Sequence, residues 1–215
     1  MSLTEAMYRF TDLGAEWVMW LLVGLSVLSV AVMVERAIVF RRKRSGSEDL
    51  SRTAAEHLAR GDVRSLRERL AGGRSSDGAV LAAGIERADD GAEAAERAML
   101  AAQVRERLDL ERNLIVLGTV GANAPFIGLA GTVLGVIQAF RGLGDNVQAG
   151  ASSAVMGAIA EALVATFIGL AVAVPAVIAF NYFQRRLKAS AARSQIVAHM
   201  LLAHLRKRGG GGAEG

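Results

Sequence analysis

Apolar positions in this chain are gathered into three long blocks, near residues 17–40, 113–140 and 154–184, and charged residues crowd the sequence between and after them. Each block exceeds the ~20 apolar residues that an α-helix needs to cross the hydrocarbon of a bilayer. The pattern predicts an all-α membrane protein with three transmembrane helices. What remains divides into an N-terminal segment, 1–16, a soluble helical insertion, 41–112, a short polar loop, 141–153, a C-terminal helix, 185–208, and a glycine-rich tail, 209–215, expected to be disordered.

Within the insertion, glycine stops and acidic N-cap signals fall at Gly61-Asp62, from Gly72-Gly73 to Asp77, and from Asp89 to Gly91. They predict short helices near 48–60, 62–71 and 77–88. From Glu93 onward, Leu100, Val104 and Leu108 recur on one helical face, and no breaker precedes the second apolar block, so one continuous helix is predicted there. Ile196, Val197, Met200, Leu201 and Leu205 make the C-terminal helix amphipathic. In the second block Gly121, Gly128, Gly135 and Gly142 share a stripe, and Gly131 with Gly135 forms a GxxxG step. Small residues on a stripe let helices approach closely in lipid, so packing is their expected role. Pro125 in the second block and Pro175 in the third are expected to kink the helix or leave a carbonyl free.

Charge decides the topology. If the insertion and the C-terminal region are cytoplasmic, 23 of the 25 Lys and Arg residues lie inside, and Arg9 and Arg141 lie outside. The positive-inside rule then places the N-terminus in the periplasm and the C-terminus in the cytoplasm, with 141–153 as a periplasmic loop. Residues 1–16 lack a basic n-region and no small-residue cleavage site follows the first block, so that block is read as a retained span, with Trp17 and Trp20 in an interfacial belt. Glu35 and Arg36, near its other end, are expected to snorkel or to pair. The net charge of +4 and pI near 10.1 come from basic residues at membrane edges and from a mixed-sign insertion. They favour lipid headgroups over nucleic acid as the anionic neighbour. With no cysteine, disulfides and thiolate chemistry are excluded.

One charged residue, Glu161, stands between Asp145 and Arg185. A charge at the membrane centre costs at least ~2.5 kcal/mol, so such an acid normally faces a bundle interior or a wet path. Glu161 falls about two turns into the third block, ~9 Å below its outer end. Ion conduction, snorkelling and pairing between subunits all fit it. Thr132 and Thr166 lie mid-span, where a threonine commonly bonds the i−4 carbonyl, and Thr166 is ~140° around a regular helix from Glu161. His57, His199 and His204 sit outside the apolar blocks without metal-ligand spacing. No GxSxG, HExxH or P-loop pattern is present. An intramembrane enzyme would lack a nucleophile and base, so no enzyme and no cofactor is expected.

The stretches 122–140, ANAPFIGLAGTVLGVIQAF, and 158–182, AIAEALVATFIGLAVAVPAVIAFNY, resemble the two signature spans of the MotA/TolQ/ExbB proton-channel family of bacterial inner-membrane motors. Pro125, GLAGTVLG, the EALVAT run, Pro175 and Asn181 carry the resemblance. Three spans with this insertion resemble the ExbB/TolQ branch rather than four-span MotA subunits. The resemblance implies a homo-oligomer, a pentamer, surrounding the single spans of an ExbD/TolR-like dimer. Proton flow past a partner aspartate would drive TonB-dependent transport, Tol function or gliding motility, through a TonB/TolA-like or gliding-machinery protein. It also implies that Glu161, Thr166 and Thr132 line the proton pathway, the proton being the transported ion. The other reading is a non-conducting membrane scaffold that recruits cytoplasmic proteins through 41–112.

Overall fold

Seven α-helices carry nearly all of the described residues of the computed structural model, which are 16–44, 47–70, 72–73, 75–145 and 151–210. They are α1 (Glu16–Arg44), α2 (Ser47–Ala59), α3 (Val63–Leu70), α4 (Ser76–Glu86), α5 (Ala92–Glu111), α6 (Leu114–Asp145) and α7 (Ala151–Gly210), with one 3-10 turn at Ala88–Asp90 between α4 and α5. The N-terminal segment 1–15, the loop centre 146–150 and the tail end 211–215 lie outside the described residues.

Two expectations about helix boundaries change. The continuous helix predicted from Glu93 into the second apolar block is interrupted at Arg112 and Asn113. Asn113 has φ 59°, a left-handed conformation that asparagine tolerates better than most residues. Conversely, the third span and the C-terminal helix form one 60-residue helix, α7. No glycine or proline falls in the basic stretch after Phe183, so nothing there stops it. Both margins of the expected loop 141–153 are helical. Helices α6 and α7 also continue through Pro125 and Pro175. Each proline only deprives the carbonyl four residues earlier of its N–H donor.

The chain divides into two compact units, one of residues up to Val34 with Asn113–Asn181, the other of Glu35–Arg112 with Tyr182–Gly215. In the first, Val18 and Leu22 of α1 pack with Val120, Ala124 and Leu134 of α6 and Val172, Ala173 and Ala176 of α7. This core is thin and rich in small residues. Bulky side chains such as Ile115, Phe126 and Phe167 face outward. Only 22%, 33% and 28% of the most apolar windows of the three long helices are buried within the chain. So much exposed apolar surface is untenable in water; these helices cross a membrane, where lipid or further subunits cover them.

The second unit is built as a water-soluble domain is. Leu66, Leu70, Val80, Leu81, Ile85, Met99, Leu201 and Leu205 are among the side chains of its core. Ala198, Leu201, Leu202 and Leu205 are the side chains that α7 packs there, while Val197 is buried and Ile196 faces out. The expected face of α5 is reversed: Ala95, Met99 and Leu110 are buried, and Leu100, Val104 and Leu108 are exposed. Ser75, not Asp77, caps α4, its hydroxyl accepting from the Gly78 N–H at 3.1 Å. Asp77, in the first turn, is buried instead. It accepts from the Ser194 hydroxyl at 2.7 Å and pairs with Arg193 at 3.4 Å, tying α4 to α7. Asp62 precedes α3 and accepts from the Ser65 N–H at 3.1 Å; the Ser65 hydroxyl first, and this N–H after it, hold its carboxyl below the ordinary range.

Arg36 is buried and does pair with Glu35, at 2.7 Å. It also donates to the Asp109 carbonyl at 3.0 Å, satisfying one of the open carbonyls of the last turn of α5. About two turns further along α1, Lys43 bridges Glu106 at 2.8 Å and Asp109 at 2.5 Å. Burial by itself would lower the lysine's pKa, but the hydrogen bonds and charges of Asp109 and Glu106 raise it above its ordinary 10.5. The Lys43 hydrogen bond in turn lowers the Asp109 carboxyl below 3.8. The Asp109 contribution is therefore present above 3.8 and lost as pH falls through its lower folded value. That of Lys43 is complete below 10.5 and lost as pH rises through its higher folded value. Because solvent screens the half-exposed Asp109, Lys43→Met is expected to cost about 1 kcal/mol or less. The deficit should be constant between about pH 5 and pH 9 and should vanish in strong acid. Chemical unfolding of the full chain in detergent, followed by circular dichroism, reads this; a deficit that persisted unchanged at pH 2 would contradict the assignment.

Candidate functional site

Glycines bring α6 and α7 into backbone contact. A Cβ on Gly128 would lie 2.7 Å from the Ala165 carbonyl oxygen, and one on Gly169 would lie 2.6 Å from the Ala124 carbonyl oxygen. Gly121 faces Val177, Gly135 faces Ala162, and Gly131 faces Ala165 and Val18 in the same manner. The stripe at seven-residue spacing is thus a seam that runs along α7, with Gly131 meeting α1 as well.

Thr166 sits on this seam. Its hydroxyl donates across it to the Gly128 carbonyl at 3.1 Å, an interhelical bond in place of the expected bond to its own helix. Only the glycine at 128 lets α7 come close enough for it. Thr132, one turn further along α6, donates within its own helix to the Leu129 carbonyl at 2.7 Å. Both hydroxyls are half-buried, and with their protons engaged they offer only acceptor lone pairs to a third group.

Glu161 is different. It is exposed on α7, next to the buried Ala162, and it makes no hydrogen bond or ion pair with any described residue. The hydrogen bonds of the two threonines run to Gly128 and Leu129, so none of the three residues bonds to another. The geometry therefore supplies a lone carboxyl on an apolar outer surface and two hydroxyls at or near a tight helix seam. An unneutralised carboxylate facing lipid would cost ~2.5 kcal/mol or more. Among the described residues nothing offsets this.

Two further polar groups in the spans escaped the sequence reading. Ser29 of α1 is buried and its hydroxyl has no hydrogen-bond partner among the described residues. Asn123 of α6 is exposed and bonds back to the Thr119 carbonyl at 2.8 Å. Ser29 gave no signal, because a single serine in an apolar run is commonplace. Asn123 did give one: it is among the few amides inside the blocks.

The family model described as the MotA/TolQ/ExbB proton channel family matches residues 73–196. The Tol-Pal system protein TolQ of Pseudomonas aeruginosa is 50% identical over 94 residues, 44% of this chain and 40% of that protein. The biopolymer transport protein ExbB of Xanthomonas campestris pv. campestris is 43% identical over 106 residues, 49% of this chain and 42% of that protein. For these two the match spans about two fifths of the relative's length. The biopolymer transport protein ExbB of Salmonella typhimurium is 31% identical over 212 residues, 91% of this chain and 84% of that protein.

Proposed function

We infer the function from this premise: the chain belongs to the MotA/TolQ/ExbB proton channel family. It is the proton-channel and stator subunit of an ExbB/TolQ-like motor in the bacterial inner membrane, with its N-terminus periplasmic and its C-terminus cytoplasmic. Several copies, five in the family arrangement, enclose the spans of an ExbD/TolR-like dimer. The observation that carries this reading is Glu161, a carboxyl on an apolar surface without a partner among the described residues. Such a group becomes tolerable when other chains close around it and convert lipid-facing surface into a wet interior.

In that interior Glu161 takes up and releases protons beside the partner's aspartate, while Thr166 and Thr132 present acceptor oxygens along the same path. The chain performs no covalent chemistry. Each proton falling through 100 mV delivers ~2.3 kcal/mol, so a few protons suffice to break and remake a set of protein contacts per step. The work goes to TonB-dependent transport, Tol function or gliding motility, according to the outer domain of the partner.

Affinity purification of the tagged chain from its native membrane in mild detergent, with intact-mass measurement, tests the assembly. Five copies with two copies of a small single-span protein bearing a membrane aspartate is the expected composition. An intact oligomer that repeatedly lacks any such protein would overturn the motor reading and leave the scaffold built on 41–112.

A further inference from the structure

A groove of about 180 Å³ lies between the C-terminal end of α1 and α7. Phe40, Arg41, Lys43, Tyr182, Phe183 and Arg186 line most of it, and Arg193 reaches its edge. Its floor is aromatic: Phe40 stacks on Phe183 with ring centroids 5.3 Å apart. A further cation of the lining, Arg44, interacts within the chain, and two more are already neutralised there, Lys43 by Glu106 and Asp109, and Arg193 by Asp77.

Arg41 and Arg186 are not. Arg41 is exposed and is paired with no described residue. Arg186 is held by an aromatic instead of an acid: its Nε and Nη2 donate to the Tyr182 hydroxyl at 3.1 and 2.9 Å, and its guanidinium lies 5.2 Å from the Tyr182 ring centroid. A guanidinium fixed in this way is positioned without being discharged, and its planar fork suits a phosphate.

In the sequence, both arginines stand where an apolar span gives way to basic residues, Arg41 directly after Phe40 and Arg186 three residues after Phe183. That is the depth at which a phospholipid headgroup sits, and basic pockets at such helix ends take anionic headgroups. We propose that this groove is a binding site for one anionic phospholipid, with the phosphodiester between Arg41 and Arg186 and the glycerol end over Phe40 and Phe183. Lipid bound there fastens the end of α1 to α7 from outside the protein. The proposal needs only a membrane-spanning chain and stands whether or not the protein conducts protons.

The test uses the full chain purified as its native complex, stripped of lipid in detergent and titrated with dioleoylphosphatidylglycerol or dioleoylphosphatidylcholine. Bound lipid is counted by native mass spectrometry. One phosphatidylglycerol per chain is expected at saturation, with phosphatidylcholine clearly weaker. Arg41→Gln and Arg186→Gln should each weaken phosphatidylglycerol about fivefold, and Lys207→Gln, on the same helix but far along it, should not. Arg186→Lys should lose less than Arg186→Gln. If Arg186→Gln fails to assemble, Arg41→Gln decides alone, since that side chain holds nothing in place. Wild-type binding by the tested arginine variants overturns the site, as does equal weakening by Lys207→Gln. Competition by glycerol 3-phosphate at the lipid's own affinity would overturn the lipid in favour of a soluble phosphate ligand.

Discussion

Glu161→Gln is expected to reduce proton-driven work at least about a hundredfold, the lower end of what a positioned proton-transfer group contributes, while leaving the assembly intact. Glutamine keeps the size and polarity of the side chain but cannot exchange a proton. Replacement also removes the cost of holding a charge in the span, ~2.5 kcal/mol or more. The chain should therefore insert and assemble at least as well as wild type. Among the described residues Glu161 makes no hydrogen bond or ion pair whose loss would unfold the chain. The measurement is proton flux into liposomes carrying the purified complex under an imposed potential, beside the intact mass of the same preparation. Glu161→Asp, which keeps the acid but draws it back by one methylene, should retain partial flux. Full flux in Glu161→Gln would remove this residue from the proton path, whatever the composition of the complex.

Gly128→Val is expected to have a large structural effect on the membrane-spanning helices. Its first added atom would lie 2.7 Å from the Ala165 carbonyl oxygen and 3.0 Å from the Thr166 Cα. Both are backbone atoms of α7, which no rotamer change can move aside. The helices must separate, and the Thr166 hydrogen bond to the Gly128 carbonyl is then lost as well. Overpacking of this kind costs about 3 kcal/mol, and the hydrogen bond adds about 0.6 kcal/mol. Gly24→Ala and Gly157→Ala are the controls, because a Cβ at either position meets nothing within 4 Å. Thermal unfolding in detergent should show a loss of helicity and of oligomer at clearly lower temperature for Gly128→Val and almost no shift for the other two. Equal behaviour of all three would mean that the seam is not tight in the membrane.

These two residues were legible in the sequence to different depths. Glu161 stands out in any reading because it is the one charge in a long apolar run, a signal of composition that needs no fold. Gly128 was legible only as one member of a stripe; that it touches the backbone at Ala165 and leaves its carbonyl within reach of Thr166 depends on the register between α6 and α7. The stripe of Leu100, Val104 and Leu108 misled for a related reason. Periodicity identifies a face but not its direction, and α5 buries Met99 and Leu110 instead, leaving the more regular face outward. Asp77 looked like a helix cap. It became a buried acid because α7 delivers Ser194 and Arg193 to it from 117 and 116 residues away.

Three membrane-crossing helices, the soluble insertion between the first two and a lone acid in the third follow from residue order alone, since the cost of placing polar groups in hydrocarbon depends on composition over ~20 residues and on little else. The side of each helix that faces another helix, the bond that Thr166 makes to Gly128, 38 residues away, and the sharing of one aromatic groove by Arg41 and Arg186 are set by packing between segments distant in the sequence. Contacts at that range depend on how side chains of particular size interlock, which no local pattern encodes.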